Sequence, residues 1–311
     1  MTQLNMQQVK ELRDRTQAGL NDCRGALLEA AGDMDKAVEI ILKKGLAKSA
    51  KRAGAVASEG EVSAMLADDG RSGVIVEVNI QTDFAARNQE FRKFVQDTVK
   101  VASTAPEGAA SLGDLPYPDG GGTLEQVRQA LVGRLGENIT VRRWARLSVR
   151  GPGRVQSYVH MGGKIGVLLA VGVDAESAAA APALTKLADD LAMQVAAMAP
   201  LYASDSEVPA DVKAKQSEIY EAQLIEEGKP EKARPKIIEG KLAKWLKEIC
   251  LLDQPSVLET DKTIAQVLSA VAESLGAVVT VQGFLRYERG EGIEKKQKED
   301  FATEVMKMSQ S

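Results

Sequence analysis

Histidine is nearly absent from this chain: His160 is the only one in 311 residues, and cysteine occurs twice, as Cys23 and Cys250. Most hydrolytic and group-transfer sites use a histidine to carry a proton or activate a nucleophile, so an enzyme built on this sequence would depend on carboxylate or lysine chemistry. His160 sits in Val155-Gln156-Ser157-Tyr158-Val159-His160-Met161, which alternates like a strand, where a lone histidine is commonly structural or superficial. Each cysteine stands among helical residues without a second Cys or His at ligand spacing, which argues against a zinc site or a disulfide framework and for two buried, reduced thiols. No apolar run approaches the roughly 18 residues of a membrane span. The start, Met1-Thr2-Gln3-Leu4-Asn5, lacks the basic and apolar regions of a signal peptide, so the expectation is a soluble, cytoplasmic protein. An excess of either charge is missing too: 44 acidic and 40 basic residues are mixed along the chain, which speaks against a nucleic-acid surface and for a protein partner.

What is present is ample for a core. Hydrophobic residues make up 44% of the chain, enough for two or three domains. Residues 1–45 predict three short helices, with apolar faces at Val9 and Leu12, at Leu20, Cys23, Leu27 and Ala30, and at Ala37, Ile40 and Ile41. Asn21 or Asp22 is expected to cap the second helix, and Gly45 after Lys43-Lys44 to stop the third. Residues 46–54 are small and basic without a clear apolar face, and 46–59 are expected to form a linker that is helical in part.

From residue 60 the chain says the same thing twice. A hairpin of two strands, two helices and a closing strand occupy 60–152. They recur in 153–208 and 250–290, interrupted by an insertion at 209–249. The closing segments match best, Leu135-Gly136-Glu137-Asn138-Ile139-Thr140-Val141 against Leu275-Gly276-Ala277-Val278-Val279-Thr280-Val281. The fold class is therefore α+β, two sheets of antiparallel strands with helical cover. The insertion predicts an antiparallel helical hairpin, with Val212 and Ile219 on one arm facing a coiled-coil seam of Ile238, Leu242, Trp245 and Ile249 on the other. A helical module is expected over 291–311.

Thr82-Asp83-Phe84-Ala85-Ala86-Arg87-Asn88 passes from strand to helix. Local chemistry alone reads Asp83 as the helix N-cap and Phe84 as core. In its context, after Glu77-Val78-Asn79, the heptapeptide resembles the Thr-Asp-Phe-Val-Ala signature of the elongation factor Ts family. Three further stretches match in order: Val9-Lys10-Glu11-Leu12-Arg13 with Thr16, Ala18-Gly19, Asp22-Cys23, Ala26-Leu27 and Gly32-Asp33; Gly136-Glu137-Asn138-Ile139; and Gly290-Glu291-Gly292-Ile293-Glu294-Lys295. The resemblance implies a ubiquitin-associated-like module over 1–45 and a coiled-coil arm in the insertion.

It also implies a function without covalent chemistry, cofactor or metal: a guanine nucleotide exchange factor for elongation factor Tu, meeting the GDP-bound and nucleotide-free partner, one to one or as a homodimer of heterodimers. Phe84 would be the apolar wedge that disturbs the magnesium and phosphate site, Asp83 the polar group beside it, and Thr82 and Ala85 the frame of the turn. Arg13, Leu20, Leu135, Gly136 and His160 would add contacts. Leu20 reads equally as core of its own module and Gly136 as a helix C-cap. Ala85 stands where the family commonly has Val, Gln17 and Asn21 where Gly and Met are frequent, and Gln194 where His is frequent. Rival readings are an enzyme using Asp83 or a glutamate as base, and a ubiquitin-like or peptide-binding adaptor built on the first module.

Overall fold

The computed structural model describes residues 5–16, 18–120 and 122–294; Gln17 and nearly all of the expected 291–311 module lie outside the described residues. The described residues form two compact units. One holds those through Val62, Val76–Arg143 and those from Glu288 onward, and the other Ser63–Ile75 and Trp144–Tyr287.

The first unit begins with helices α1 (Met6–Thr16), α2 (Leu20–Glu29) and α3 (Met34–Arg52). Val9, Leu12, Cys23, Ala26, Leu27, Ala37 and Ile41 bury one another at helical spacing. Two expected boundaries are corrected. Helix α2 starts at Leu20 with Gly19 in the cap position and no side-chain cap; Asp22 lies in the first turn, where the helix dipole favours an acid, and pairs with Lys48 at 3.2 Å. Helix α3 does not stop at Gly45 but runs on through the first part of 46–59 to Arg52. Gly45 is a crossing point instead. A β-carbon built on Gly133 of α6 (Leu124–Leu135) would lie 3.4 Å from the Gly45 Cα, and one on Gly45 would lie 3.6 Å from the Gln129 carbonyl. The missing side chains let two helix backbones approach, and that packing outweighs the local tendency of glycine to end a helix. Gly45→Ala makes only ordinary contacts and should leave the melting temperature unchanged or raise it, whereas Gly45→Leu should cost about 1–3 kcal/mol by forcing α3 off α6. Thermal melting of the two variants checks this.

Strands β1 (Glu59–Leu66), β2 (Ser72–Ile80) and β3 (Ile139–Ser148) form a three-stranded sheet in that order. Between β2 and α6 come α4 (Asp83–Ala86) and α5 (Gln89–Thr104). Phe91, Phe94, Val95 and Val99 of α5, with Leu131 of α6 and Val76, Val78 and Ile80 of β2, are fully buried. Glu77 is also fully buried, and accepts hydrogen bonds from Arg142 (3.0 Å), Arg143 (2.6 Å), Asn79 (3.0 Å) and the Gly290 amide (2.7 Å). Arg142 in turn donates to the Glu291 carbonyl, and Arg289 pairs with Glu59 at 3.1 Å. These bonds fasten residues 289–291 within the first unit.

A second set of strands and helices repeats this plan. Strands β4 (Gly153–His160), β5 (Ile165–Val173) and β6 (Val279–Glu288) make a second three-stranded sheet, with β4 and β5 antiparallel in register from Gly153 opposite Gly172 to His160 opposite Ile165. Helices α7 (Glu176–Ala179) and α8 (Pro182–Met198) follow, then the inserted pair α9 (Ala210–Glu226) and α10 (Arg234–Ile249), and α11 (Ile264–Leu275) before β6. Leu184, Leu187, Leu191 and Val195 of α8 bury the Val167, Leu169 and Val171 row of β5. In the inserted pair, Ile238, Leu242, Trp245 and Ile249 are half-buried. On α9 the inward residues are Leu224, which is buried, and Tyr220, under the Lys241 ammonium at 5.4 Å, while Ile219, expected at the seam, is exposed. Tyr220 and Leu224 are four residues apart, and Ile219 falls one position off their row.

The duplication holds position by position. Ser72, Asp83 and Gln89, which begin β2, α4 and α5, recur 93 residues later as Ile165, Glu176 and Pro182. Beyond the insertion the offset is 140, taking Leu124, Gly136 and Ile139 to Ile264, Gly276 and Val279. Gly60 and Gly153 are the clearest pair: each has φ beyond +120°, and a β-carbon would strike the Val78 carbonyl at 2.1 Å in one case and the Val171 carbonyl at 2.3 Å in the other. Only glycine fits such an approach.

Candidate functional site

Strand β2 ends at Ile80, and the chain turns at once into α4, a single turn of four residues. The cap is Thr82, not Asp83. Thr82 is extended, and its hydroxyl accepts from the Ala85 amide at 3.2 Å. Asp83 is therefore the first helical residue; its carboxylate meets Arg87 at 3.3 Å on the open surface, a pair weak enough for a partner to displace. Asn88 caps α5, accepting from the Glu90 amide at 2.7 Å.

The local reading of Phe84 as core is overturned: 86% of it is exposed. Phe91 and Phe94, on the following helix α5, are fully buried, so this chain places aromatic rings inside where it needs them. Ala85 points the other way and is buried, so the two methyl groups by which it differs from Val are missing from the packing beneath the turn. The bare Phe84 ring therefore stands on a one-turn helix capped at its start by Thr82.

The second copy of the fold serves as an internal control. Helix α7 occupies the place of α4, with Ser177 where Phe84 stands and Ala178, again buried, where Ala85 stands. The small inward residue is common to both copies and belongs to the fold. The phenylalanine is not needed to make this turn.

A residue to which the sequence assigned no role completes the site. Glu137, just beyond α6, accepts from the Thr82 amide at 3.0 Å and from the Thr82 hydroxyl at 2.7 Å. Next to it Gly136 caps α6 in the left-handed conformation (φ 71°), Leu135 is half-buried, and the Asn138 amide donates to Gln81 Oε1 at 2.6 Å. Leu135, Gly136 and Thr82–Ala85 are thus joined through Glu137.

The model of the family described as Elongation factor TS matches residues 81–291, starting one residue before this turn and ending at Glu291. Full-length relatives agree with it. The chain is 46% identical to elongation factor Ts of Clostridium acetobutylicum over 97% of each chain, 46% identical to that of Nitratiruptor sp. over 96% of each, and 45% identical to that of Clostridium botulinum over 98% of each. The chain belongs to the elongation factor Ts family. Family membership makes it a protein of translation and protein biosynthesis.

Other positions that resemblance to elongation factor Ts singles out are scattered. Arg13 on α1 and Leu20 at the start of α2 are both exposed, so Leu20 is not spent on the core of its own three helices. His160 ends β4 in the second unit, exposed, with its Nδ1 2.9 Å from the Tyr158 hydroxyl and its ring 5.8 Å from the tyrosine ring; exposed Met161 follows in the left-handed region. Gln194, where elongation factor Ts sequences often carry His, is buried, donates to Gln254 Oε1 (3.2 Å) and the Pro255 carbonyl (3.1 Å), and accepts from the Val257 amide (2.9 Å). It fastens an inner loop of the second unit. Both cysteines are buried, and burial raises both thiols, Cys250 to about 11. Among the described residues no group of three or more His, Cys, Asp or Glu side chains stands together as a metal site would require, and no helix is long and apolar enough to cross a membrane.

Proposed function

We propose that this chain is a guanine nucleotide exchange factor for elongation factor Tu, acting in the cytoplasm without covalent chemistry or cofactor. One observation carries the reading: Phe84 is presented bare on a turn that the second copy of the same fold builds with a serine. Phe84 enters the GTPase domain and disturbs its magnesium and phosphate site, Asp83 exchanges its weak Arg87 partner for polar groups there, and Thr82 and Ala85 hold the turn. Arg13, Leu20, Leu135 and Gly136 widen the contact from the first unit, and His160 supplies one from the second. The three N-terminal helices act as a ubiquitin-associated-like docking module, and the inserted pair as a coiled-coil arm. The complex is one to one or a homodimer of heterodimers.

The physical requirement is linkage. An exchanger must bind the nucleotide-free GTPase more tightly than the GDP form, and GDP must weaken its hold by the same factor. Titrating the chain into elongation factor Tu with and without saturating GDP, and GDP into the GTPase with and without the chain, should give two equal ratios, each on the order of tenfold or more. Equal affinity of the chain for both forms would refute the proposal.

A further inference from the structure

We propose that Glu137 is a positioning residue for nucleotide exchange: its carboxylate clamps Thr82 and so fixes the direction in which Phe84 leaves the surface. The inference rests on the reading of Phe84 as the wedge.

Both carboxylate oxygens of Glu137 serve one residue, Oε2 taking the Thr82 amide and Oε1 the Thr82 hydroxyl. The hydroxyl is used twice, donating to Glu137 while accepting from the Ala85 amide. Glu137 therefore fixes the Thr82 rotamer, the rotamer fixes the cap, and the cap fixes the first turn of α4, where Phe84 is the second residue. A one-turn helix has no stability of its own, so its orientation is set by what holds its ends.

The two copies separate what the fold needs from what is added. In both, the residue after the second strand accepts from a backbone amide just before the closing strand: Gln81 from Asn138 at 2.6 Å, and Asp174 from Val278 at 2.8 Å. That tie is common. The clamp is not, because Ala175 stands in place of Thr82 and Ala277 in place of Glu137, yet α7 forms. Threonine, glutamate and phenylalanine thus occur together in the copy with the bare ring and are all absent from the other. Hydrogen bonds between exposed groups add little to folding stability. What this clamp adds is pre-organisation, a ring already aimed before the partner arrives.

The test is stopped-flow release of a fluorescent GDP analogue from elongation factor Tu over a range of concentrations of the full-length chain, with melting temperatures alongside. Glu137→Ala should lower the maximal rate about 5- to 30-fold. The half-saturating concentration should move by no more than about twofold, since the loss falls on displacement rather than docking. Melting should not change. Thr82→Val should behave alike, the double variant should be no slower than the worse single one, and Thr82→Ser should recover most of the rate lost in Thr82→Val. A wild-type maximal rate for Glu137→Ala beside a slow Phe84→Ala would overturn the positioning role and leave the wedge standing. A wild-type rate for Phe84→Ala would overturn the wedge and the clamp's purpose with it. Loss in Glu137→Ala that follows a lowered melting temperature would reduce the clamp to a folding contact and overturn the proposal.

Discussion

Phe84→Ala is expected to slow catalysed GDP release from elongation factor Tu about 10- to 100-fold, the range that a coupling free energy of a few kcal/mol spans. The same substitution should shift folding stability by no more than about 0.5 kcal/mol, because the ring is 86% exposed and leaves no cavity behind. A buried phenylalanine would behave oppositely, losing about 3–5 kcal/mol on truncation. Exchange kinetics and a denaturation midpoint on one preparation therefore separate function from folding. Phe91→Ala is the contrasting variant, expected to lose stability on that larger scale, since Phe91 is fully buried.

A second large effect, on stability, is expected at Glu77. Burial by itself would push its carboxyl up, but the Gly290 amide, Asn79 and the guanidinium groups of Arg143 and Arg142 outweigh that and hold it below the ordinary glutamate value of 4.5. Removing a fully buried carboxylate that holds two guanidinium groups should cost about 3–5 kcal/mol in Glu77→Ala, and somewhat less in Glu77→Gln, which keeps the shape. A group whose folded pKa is depressed stabilises the fold fully above its unfolded value and loses that contribution as pH falls through the folded value. The gap between wild type and Glu77→Gln should accordingly be constant above pH 4.5 and shrink below it. Urea midpoints across that range check the sign, and a gap that widened toward acid would contradict the assignment.

The α+β plan, the duplication and the place of the Thr82 turn were legible in the sequence because each leaves a local trace. Strands alternate, glycines close helices, and the Leu135-Gly136 and Leu275-Gly276 turns repeat. Which side of the turn faces out was not legible. Phe84 and Ala85 are adjacent, and only about 100° of helix rotation decides which of them is buried. Gly45 misled for a related reason: glycine after two lysines is the pattern of a helix end, and the helix that crosses it, α6, begins 79 residues further along. Glu137 was read as part of a resemblance and given no task, because its bond to Thr82 spans 55 residues and follows no periodicity. Local order was readable; pairings set by packing were not.

The chain is expected to catalyse GDP release from elongation factor Tu. Elongation factor Tu loaded with a fluorescent GDP analogue should be mixed with excess unlabelled nucleotide and a substoichiometric amount of the full-length chain. Each molecule of the chain should release many nucleotides, and the rate should rise in proportion to its concentration. Release at the intrinsic rate, unchanged by the chain, would contradict it.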